Sequence, residues 1–453
     1  MEINTAIVAG TGKSGISATK LLVNHGVKVY LFDENKDRDI EAIKEKTGDS
    51  ELVQIELGEL GEDALSSSQL MVISPGIPVD APFTDVVRNA GIPIWSEIEL
   101  AYHYGKGKIA AITGTNGKTT TTALVGEIVK AHNAKTIVVG NIGIPYTELC
   151  DTTDDDSDTV AEISSFQLET VIDFHPNVSA ILNLTPDHLN RHYTFENYGN
   201  VKFSITKNQT MDDVTVINYD DEHTRAMGEK AKDHCHVVYF SRLEKPAGGV
   251  YVEDGDITLE DGDKKINVLA IKDLKLMGAH NVENVLAAVG ISYYMGVPVD
   301  VIRDVATSFK AVAHRIEYVD TVDGVAYYND SKGTNPDAAI KGIQAMVAPT
   351  FLIGGGYDKG SEYDEWIEAF DGKVKWLVLI GQTAQKIADC AKRHGFNSII
   401  FEENLQDAVA YCHENAVDGD AVLLSPACAS WGQFDNYEQR GDMFKEYVRS
   451  YKE

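Results

Sequence analysis

The stretch Ala110-Ala-Ile-Thr-Gly-Thr-Asn-Gly-Lys-Thr-Thr120 decides how this chain is read. Its apolar start reads as a strand, Gly114-Thr-Asn-Gly-Lys-Thr119 as a turn, and the residues beyond as a helix. Such a turn aims backbone N–H groups and the positive helix end at phosphate oxygens. Lys118 can reach the outer phosphates and Thr119 can ligate Mg²⁺. The usual G-x-x-x-x-G-K-[ST] spacing would need glycine at 112, where the chain has Ile112, so the loop is a compact variant. A glycine turn that binds nothing is the plain alternative, yet a lysine after glycine in such a turn has little packing value.

The residues before the loop make a unit of their own. Thr5-Ala-Ile-Val-Ala9 reads as a strand, Gly10-Thr-Gly-Lys-Ser-Gly15 as a turn into a helix to about His25, and Lys28-Val-Tyr-Leu-Phe32 as a strand ending at Asp33. Taken alone, G-x-G-x-x-G with an acid on the second strand predicts a dinucleotide. Ser74-Pro-Gly-Ile77 follows the apolar Leu70-Met-Val-Ile73 and belongs on the same carboxyl edge. Past the phosphate loop, Val138-Val-Gly-Asn-Ile-Gly143, Val160-Ala-Glu-Ile-Ser-Ser-Phe-Gln167 and Ala180-Ile-Leu-Asn-Leu-Thr-Pro-Asp-His188 repeat a strand-then-polar-turn pattern, which predicts a mostly parallel sheet. Between Pro246 and Leu276 short β segments with Asp-Gly turns predict a hairpin appendage. The acidic run Asp151 to Asp158 reads as a solvated loop. A last block alternates again through Phe351-Leu-Ile-Gly-Gly-Gly-Tyr357, Trp376-Leu-Val-Leu-Ile-Gly381 and Ala421-Val-Leu-Leu-Ser425. The expected fold is α/β in three parts: a Rossmann-like 1–98, a central P-loop ATPase-like 99–311 with a small β appendage, and a Rossmann-like 312–453.

Composition narrows the partners. A formal charge of −30 and a pI near 4.7 argue against nucleic acid or anionic membrane, since each needs a basic face. The five cysteines are an odd number without a C-x-x-C pair, which predicts a reducing cytoplasm with no disulfide framework or zinc knuckle. No apolar run approaches the ~18 residues of a membrane span. The expectation is a cytoplasmic monomer with no membrane insertion.

Further motifs follow in order: E-I-S-S-F-Q at 162, N-L-T-P-D-H-L-N-R-H at 183, H-N-V-E-N at 280, A-H-R-I-E at 313, N-D-S-K-G-T-N-P at 329 and S-P-A-C-A-S-W-G-Q-F at 425. With G-T-N-G-K-T these resemble the Mur ligase family, and within it the branch that adds D-glutamate to a UDP-N-acetylmuramoyl-L-alanine substrate. The resemblance spans nearly the whole chain. It implies the three-domain Mur ligase architecture and amide formation through an acyl phosphate, with ATP, two Mg²⁺ sites and a CO₂-derived carbamate on Lys202.

Residue by residue, the resemblance implies that Gly114, Thr115, Asn116, Gly117, Lys118, Thr119 and Thr120 hold the ATP phosphates. Asn281, Asn284, Arg315 and Asp330, with His280, would serve the nucleotide across the central and C-terminal domains, with closure on binding. Thr119, Glu162, His188 and carboxylated Lys202 would be the metal ligands, and Lys118, Glu162, His188 and Lys202 the catalytic set. Thr185 reads as a helix N-cap with Pro186 in the first turn, placing His188 at a helix start. His192, four residues on, invites a zinc reading but has no third ligand of matching spacing. Ser14, Asp33, Ser74, Asn141 and Gln167 would bind the UDP-substrate, with Lys13 adding a cation, although Asn35 stands where some relatives carry a basic residue. Lys332, Thr334, Lys359, Ser430 and Tyr437 would bind D-glutamate, whose carboxylates need cationic and hydroxyl donors. The absence of a D-N-P-[AR] signature, expected of siblings that add a diamino acid, favours glutamate. From other classes, a dehydrogenase would leave the phosphate loop idle, and a nucleotide-gated switch would turn over ATP without an amino acid.

Overall fold

Runs of β-branched and aliphatic residues form three sheets in the computed structural model, which describes residues 3–141, 143–276, 278–310 and 313–452. In the first sheet, β1 (Thr5–Ala9), β2 (Lys28–Asp33), β3 (Val53–Leu57), β4 (Leu70–Ile73) and β5 (Ile94–Ser96) lie in the order β3-β2-β1-β4-β5, all parallel. The order reverses between β1 and β4, so the turns after both strands flank one crevice at the carboxyl edge. Glycine is required in that turn: Gly10 has φ +103°, and a Cβ on Gly15 would lie 1.8 Å from the Gly10 carbonyl oxygen.

The second sheet holds β6 (Lys108–Thr113), β7 (Ile137–Gly140), β8 (Asp158–Glu162), β9 (Val178–Ile181), β10 (Val214–Asn218), β11 (His236–Ser241), β12 (Gly249–Glu253), β13 (Asp256–Asp261) and β14 (Lys264–Ala270). Its order is β14-β13-β12-β11-β10-β9-β6-β8-β7. With β6 between β9 and β8, all parallel, the loops after these three strands meet at one edge. The expected appendage is a continuation of this sheet: β12 pairs in parallel with β11, and only β12 to β14 run antiparallel. Asp254 and Gly255, at φ +51° and +86°, form the mirror-image turn that suits strand twist. The acidic run is exposed in its middle, but Asp154 pairs with Lys135 at 2.6 Å, and the buried Asp158 opens β8 and accepts a bond from Asn133.

The third sheet contains β15 (Glu317–Val322), β16 (Val325–Asn329), β17 (Thr350–Gly354), β18 (Val374–Leu379), β19 (Ile399–Phe401) and β20 (Ala421–Leu424), in the order β15-β16-β20-β17-β18-β19. Only β15–β16 is antiparallel. Neighbouring β16, β20 and β17 therefore deliver the loops beginning at Asp330, Ser425 and Gly355 to one edge.

The chain forms two compact units, Met1–Asp273 with Glu283–Thr307, and Leu274–Val282 with Ser308–Glu453. The first two sheets share the first unit because one core serves both: Ala6 and Val8 lie in a buried cluster that continues through Trp95 and Leu100 to Tyr146 and Ile181. The expected boundary at 98 falls inside the helix Glu97–Tyr104, which Ser96 caps. Fully buried Glu99 of that helix accepts the backbone N–H groups of Ile172, Asp173 and Phe174 at 3.0, 2.7 and 3.0 Å. The expected boundary at 311/312 lies outside the described residues. Among the described residues no helix is long and apolar enough to cross a membrane.

Two stability predictions follow from these buried carboxyls. Glu99→Gln replaces one of two oxygens bonded to three amides with a donor and should cost about 2 kcal/mol, read as a lower urea midpoint at unchanged slope; an unchanged midpoint would contradict this. Burial pushes Asp330 up to about 7, against the opposing hydrogen bond from Ser425 and the charge of Arg315. The unfolded carboxyl titrates near ~3.9, so between these values the folded chain keeps a proton that the unfolded chain has lost, and stability falls as pH rises. Asp330→Asn cannot titrate, so its stability relative to the parent should climb from about pH 4 to 7 and then level. Parallel curves would contradict that assignment.

Candidate active site

At the centre of the second sheet, β6 ends at Thr113 and the helix Lys118–His132 begins after four intervening residues, with Gly117 as its cap at φ +81°. A Cβ on Gly117 would lie 2.2 Å from Asn284 Oδ1, so a side chain here would collide with the asparagine that also accepts from Thr121 Oγ1. The loop is held from its flank. Thr115 N–H donates to the Asn183 carbonyl at 3.1 Å and Asn116 N–H to Asn183 Oδ1 at 2.8 Å, while Asn183 Nδ2 returns a bond to the Asn116 carbonyl. This corrects the expectation that every amide of the loop faces phosphate, because these two face the turn after β9.

Thr185 is likewise not a helix cap. Its N–H donates to Thr115 Oγ1, the Thr115 hydroxyl lies 3.1 Å from its carbonyl, and Tyr198 Oη sits 3.1 Å from the same hydroxyl. The helix starts four residues later at Leu189, and His188 is its cap, in left-handed conformation at φ +53°. The His188 ring is half exposed and leans on Phe166 at 4.8 Å. His192 is buried, with Nε2 3.0 Å from Ser165 Oγ and Nδ1 3.5 Å from Glu169 Oε1; burial, then neighbouring His188, pushes it down to about 4. Its ring nitrogens serve packing contacts, which is the reason it does not read as a metal ligand here.

Two lysine side-chain nitrogens meet at one carbonyl. Lys118 Nζ donates to the carbonyls of Gly114 at 2.9 Å and Thr115 at 2.8 Å, and Lys202 Nζ donates to the same Gly114 carbonyl at 2.8 Å. Lys202 is only 1% exposed, lies over the Tyr198 ring, and is held well below the ordinary lysine range by burial and then by the charge of Lys118. At the end of β8, Glu162 is 1% exposed; Oε1 accepts from Asn141 Nδ2 at 2.8 Å, while Oε2 is buried with no hydrogen-bond partner among the described residues. An orphaned, buried carboxylate oxygen suits a hard cation with oxygen ligands. Gln167 is buried in a capping box with Ser164 and turns its amide nitrogen toward Glu97 at 3.4 Å, so it braces this loop.

The crevice of the first sheet is a cavity of about 400 Å³ lined by Gly10 to Ser14, Asp33, Glu34, Arg38 and Ser74 to Ile77. Ser74 Oγ is buried and has no partner among the described residues. Burial alone would raise Asp33, but bonds from the Thr11 hydroxyl, the Asn35 and Thr11 amides and the Arg38 charge outweigh it and hold the carboxyl below its usual range. Asn35 turns to the Asp37 amide, and Arg38 supplies the cation that position 35 lacks. Arg38 was not singled out in the sequence, although it lies on the same post-strand loop. Lys13 donates to the Gly143 carbonyl. Arg191 was also missed: it pairs with Glu169, lies over Phe166 at 4.6 Å, and donates to the Ile77 carbonyl at 2.8 Å, tying the Ser74 turn to the His188 helix.

In the second unit, Asn281 is buried, and His280 is pushed down to about 4 by burial and then by Lys341 and Arg315. Arg315 Nε is buried without a hydrogen-bond partner among the described residues, a donor suited to an anion. Asp330 accepts from Ser425 Oγ at 2.7 Å. Lys332 lies 5.3 Å from the Tyr437 ring and Lys359 4.8 Å from the Trp431 ring, each where an aromatic face can orient it. Thr334 closes a tight turn on the Lys332 carbonyl, and Ser430 is buried behind Trp431 in sequence. The organiser is Arg440, missed in the sequence: its guanidinium donates to Ser331 Oγ, the Ser331 carbonyl and the Cys428 carbonyl at 2.9, 2.7 and 3.2 Å, binding the loops after β16 and β20 together.

Comparison with known proteins agrees with this layout. Residues 4–96 match the Mur ligase MurD-like N-terminal domain, 112–292 the Mur ligase middle domain, and 314–428 the Mur ligase glutamate ligase domain. The UDP-N-acetylmuramoylalanine–D-glutamate ligase of Lachnospira eligens is 55% identical over 99% of both chains, and that of Lachnoclostridium phytofermentans is 51% identical over 99% of this chain and 98% of its own. Among solved structures, MurF from Acinetobacter baumannii aligns with a TM-score of 0.63 at 16% identity, covering 97% of this chain and 93% of its own. MurC from Thermotoga maritima aligns at 0.61 and 19%, covering 99% and 100%. The three-sheet α/β architecture and the full-length identity establish that the chain belongs to the Mur ligase family of ATP-dependent ligases.

Proposed function

We propose that the chain joins D-glutamate to UDP-N-acetylmuramoyl-L-alanine at the expense of ATP, releasing ADP and phosphate. The observation that carries this is the meeting of Lys118 and Lys202 on the Gly114 carbonyl, in the central sheet whose β8 ends in Glu162 with an unpartnered oxygen. Such an arrangement is costly without anions to neutralise the lysines and a cation to occupy the carboxylate. The substrate choice rests on the relatives' names and on the resemblance of the third-unit loops.

In this reading Lys118 and the helix start at residues 117–120 hold the outer phosphates, with Gly114, Thr115 and Asn116 shaping the turn. Asn281, Asn284, Arg315 and Asp330 serve the nucleotide. Asp33, Ser14 and Ser74 hold the UDP part, joined by Arg38, and Asn141 faces the muramoyl part while Gln167 braces it. A carboxylate oxygen of the substrate attacks the γ-phosphorus, ADP leaves, and the D-glutamate amine displaces phosphate from the acyl phosphate after losing its proton. Lys118 offsets the charge that builds on the transferring group. His188, half exposed at the same edge, stands to orient the amine. Lys332, Thr334, Lys359, Ser430 and Tyr437 would hold the two carboxylates of D-glutamate. Thr119, Glu162, His188 and Lys202 would hold Mg²⁺, which when bound polarises phosphoryl and carboxyl oxygens. For Lys202 this requires reaction of its neutral amine with CO₂ to a carbamate, and burial favours the neutral amine. The domain limits 1–98, 99–311 and 312–453, a monomeric state and a cytoplasmic location belong to the same reading.

Phosphate release from ATP and Mg²⁺ with the UDP-muramoyl substrate should require D-glutamate, not L-glutamate or L-lysine, and the product should gain one glutamyl mass; release indifferent to amino acid would overturn the reading. Lys118→Ala should lower turnover by at least ~10²-fold with the protein still folded. Retained turnover removes its assigned role. Protein equilibrated with ¹³C-bicarbonate should give one carbamate resonance that Lys202→Ala abolishes, and a resonance surviving in the variant contradicts the modification.

A further inference from the structure

The second unit carries a side-chain group that no step of the proposed reaction uses. Cys390 and His394 lie one turn apart at the end of the helix Ala384–Arg393, which His394 caps. Asp364 and Glu368 lie one turn apart on the short helix Asp364–Glu368. The two i, i+4 pairs face each other: His394 Nε2 is 2.8 Å from Asp364 Oδ1, and His394 Nδ1 is 3.6 Å from Glu368 Oε1. One donor atom each from Asp364, Cys390 and His394 falls within 4.8 Å of the others.

Bonds of about 2.3 Å to sulfur and 2.0–2.1 Å to nitrogen or oxygen give a tetrahedral ion ligand–ligand edges of roughly 3.3–3.8 Å. The three side chains therefore need to close by about 1.5 Å at most, and the His394–Asp364 hydrogen bond to open by less. The donors are chemically mixed in a telling way. A thiolate with an imidazole selects a borderline or soft ion, whereas Mg²⁺ and Ca²⁺ prefer oxygen alone. Access is graded too: the Cys390 thiol is buried at the floor, and the His394 and Asp364 side chains are 26% and 43% exposed at the mouth. Arg393 holds the carboxylate at 3.3 Å, but its guanidinium is 60% exposed and can turn to water. Burial, then the charge of Asp364, pushes the Cys390 thiol up to about 11. An entering ion displaces the thiol proton, Cys–SH + M²⁺ giving Cys–S–M⁺ + H⁺.

We propose that Cys390, His394 and Asp364, with water completing the coordination, form a binding site for a thiophilic divalent cation of the Zn²⁺ class. The ion would join two helices whose preceding loops pack together. Thr383, just ahead of the Cys390 helix, accepts the Gly356 N–H at 3.0 Å and sits 3.2 Å from Cys428 Sγ. Binding would therefore stiffen the edge of the third sheet.

Titration of the metal-free full-length chain with Co²⁺ as the probe tests this. The expected result is one equivalent bound with a thiolate-to-cobalt charge-transfer band, displaced by Zn²⁺, and a rise in the thermal midpoint with Zn²⁺ concentration. Cys390→Ser should abolish the band. His394→Gln, changed at the surface where folding is not at stake, should weaken Co²⁺ binding at least about ten-fold. No band in the parent, or a band of parental strength and affinity in either variant, would overturn the site.

Discussion

Two lysines cannot share one carbonyl oxygen at no cost, and that constraint organises the central sheet. Gly114 offers its oxygen to both Lys118 and Lys202, and the second ammonium is buried beneath the first. Like charges at this distance in a poorly solvated place favour loss of one proton or arrival of an anion. The surrounding design holds the carbonyl still while either happens. Asn183 grips the turn at residues 115 and 116, and Thr185 and Tyr198 grip the Thr115 hydroxyl. The loop is thereby fixed from the side, and its helix end is left to define the direction in which phosphate approaches.

Parallel topology explains why these groups can meet. Strands β9, β6 and β8 are neighbours although β6 ends at Thr113, β8 at Glu162 and β9 at Ile181, and every loop that follows them opens on one edge. The same rule places the Gly10 and Ser74 turns together in the first sheet and the Asp330, Gly355 and Ser425 loops together in the third. Arginines then lock the loops: Arg191 bonds the Ile77 carbonyl, and Arg440 bonds Ser331 and Cys428. A guanidinium suits this task because its planar donors satisfy several carbonyls at once.

What the sequence made legible is local. Glycine turns between apolar strands and helices announce themselves, because positive φ and close backbone approach admit few other residues, and the three α/β blocks followed from them. Long-range partners were hidden. Arg191 reaches a carbonyl 114 positions away, and Arg440 a serine 109 positions away, and neither distance leaves a periodic trace. Thr185 looked like a cap because Thr-Pro is a common helix opening, but its backbone N–H and carbonyl engage the Thr115 hydroxyl and the helix starts only at Leu189. The β12 to β14 hairpins were legible as turns, while their addition to the central sheet depended on a parallel pairing at Phe240 and Ser241. Lys202 sits on a helix rich in polar residues, so its burial could not be inferred from periodicity.

The central claim is that the two-lysine site activates a carboxylate by phosphoryl transfer. It is tested most directly by labelling the terminal carboxylate of the UDP-muramoyl substrate with ¹⁸O and measuring the phosphate released during turnover with D-glutamate. Transfer through an acyl phosphate predicts one ¹⁸O atom per phosphate, because the attacking carboxylate oxygen leaves with phosphorus. Unlabelled phosphate would mean that water, not the substrate, receives the phosphoryl group, and would contradict the account.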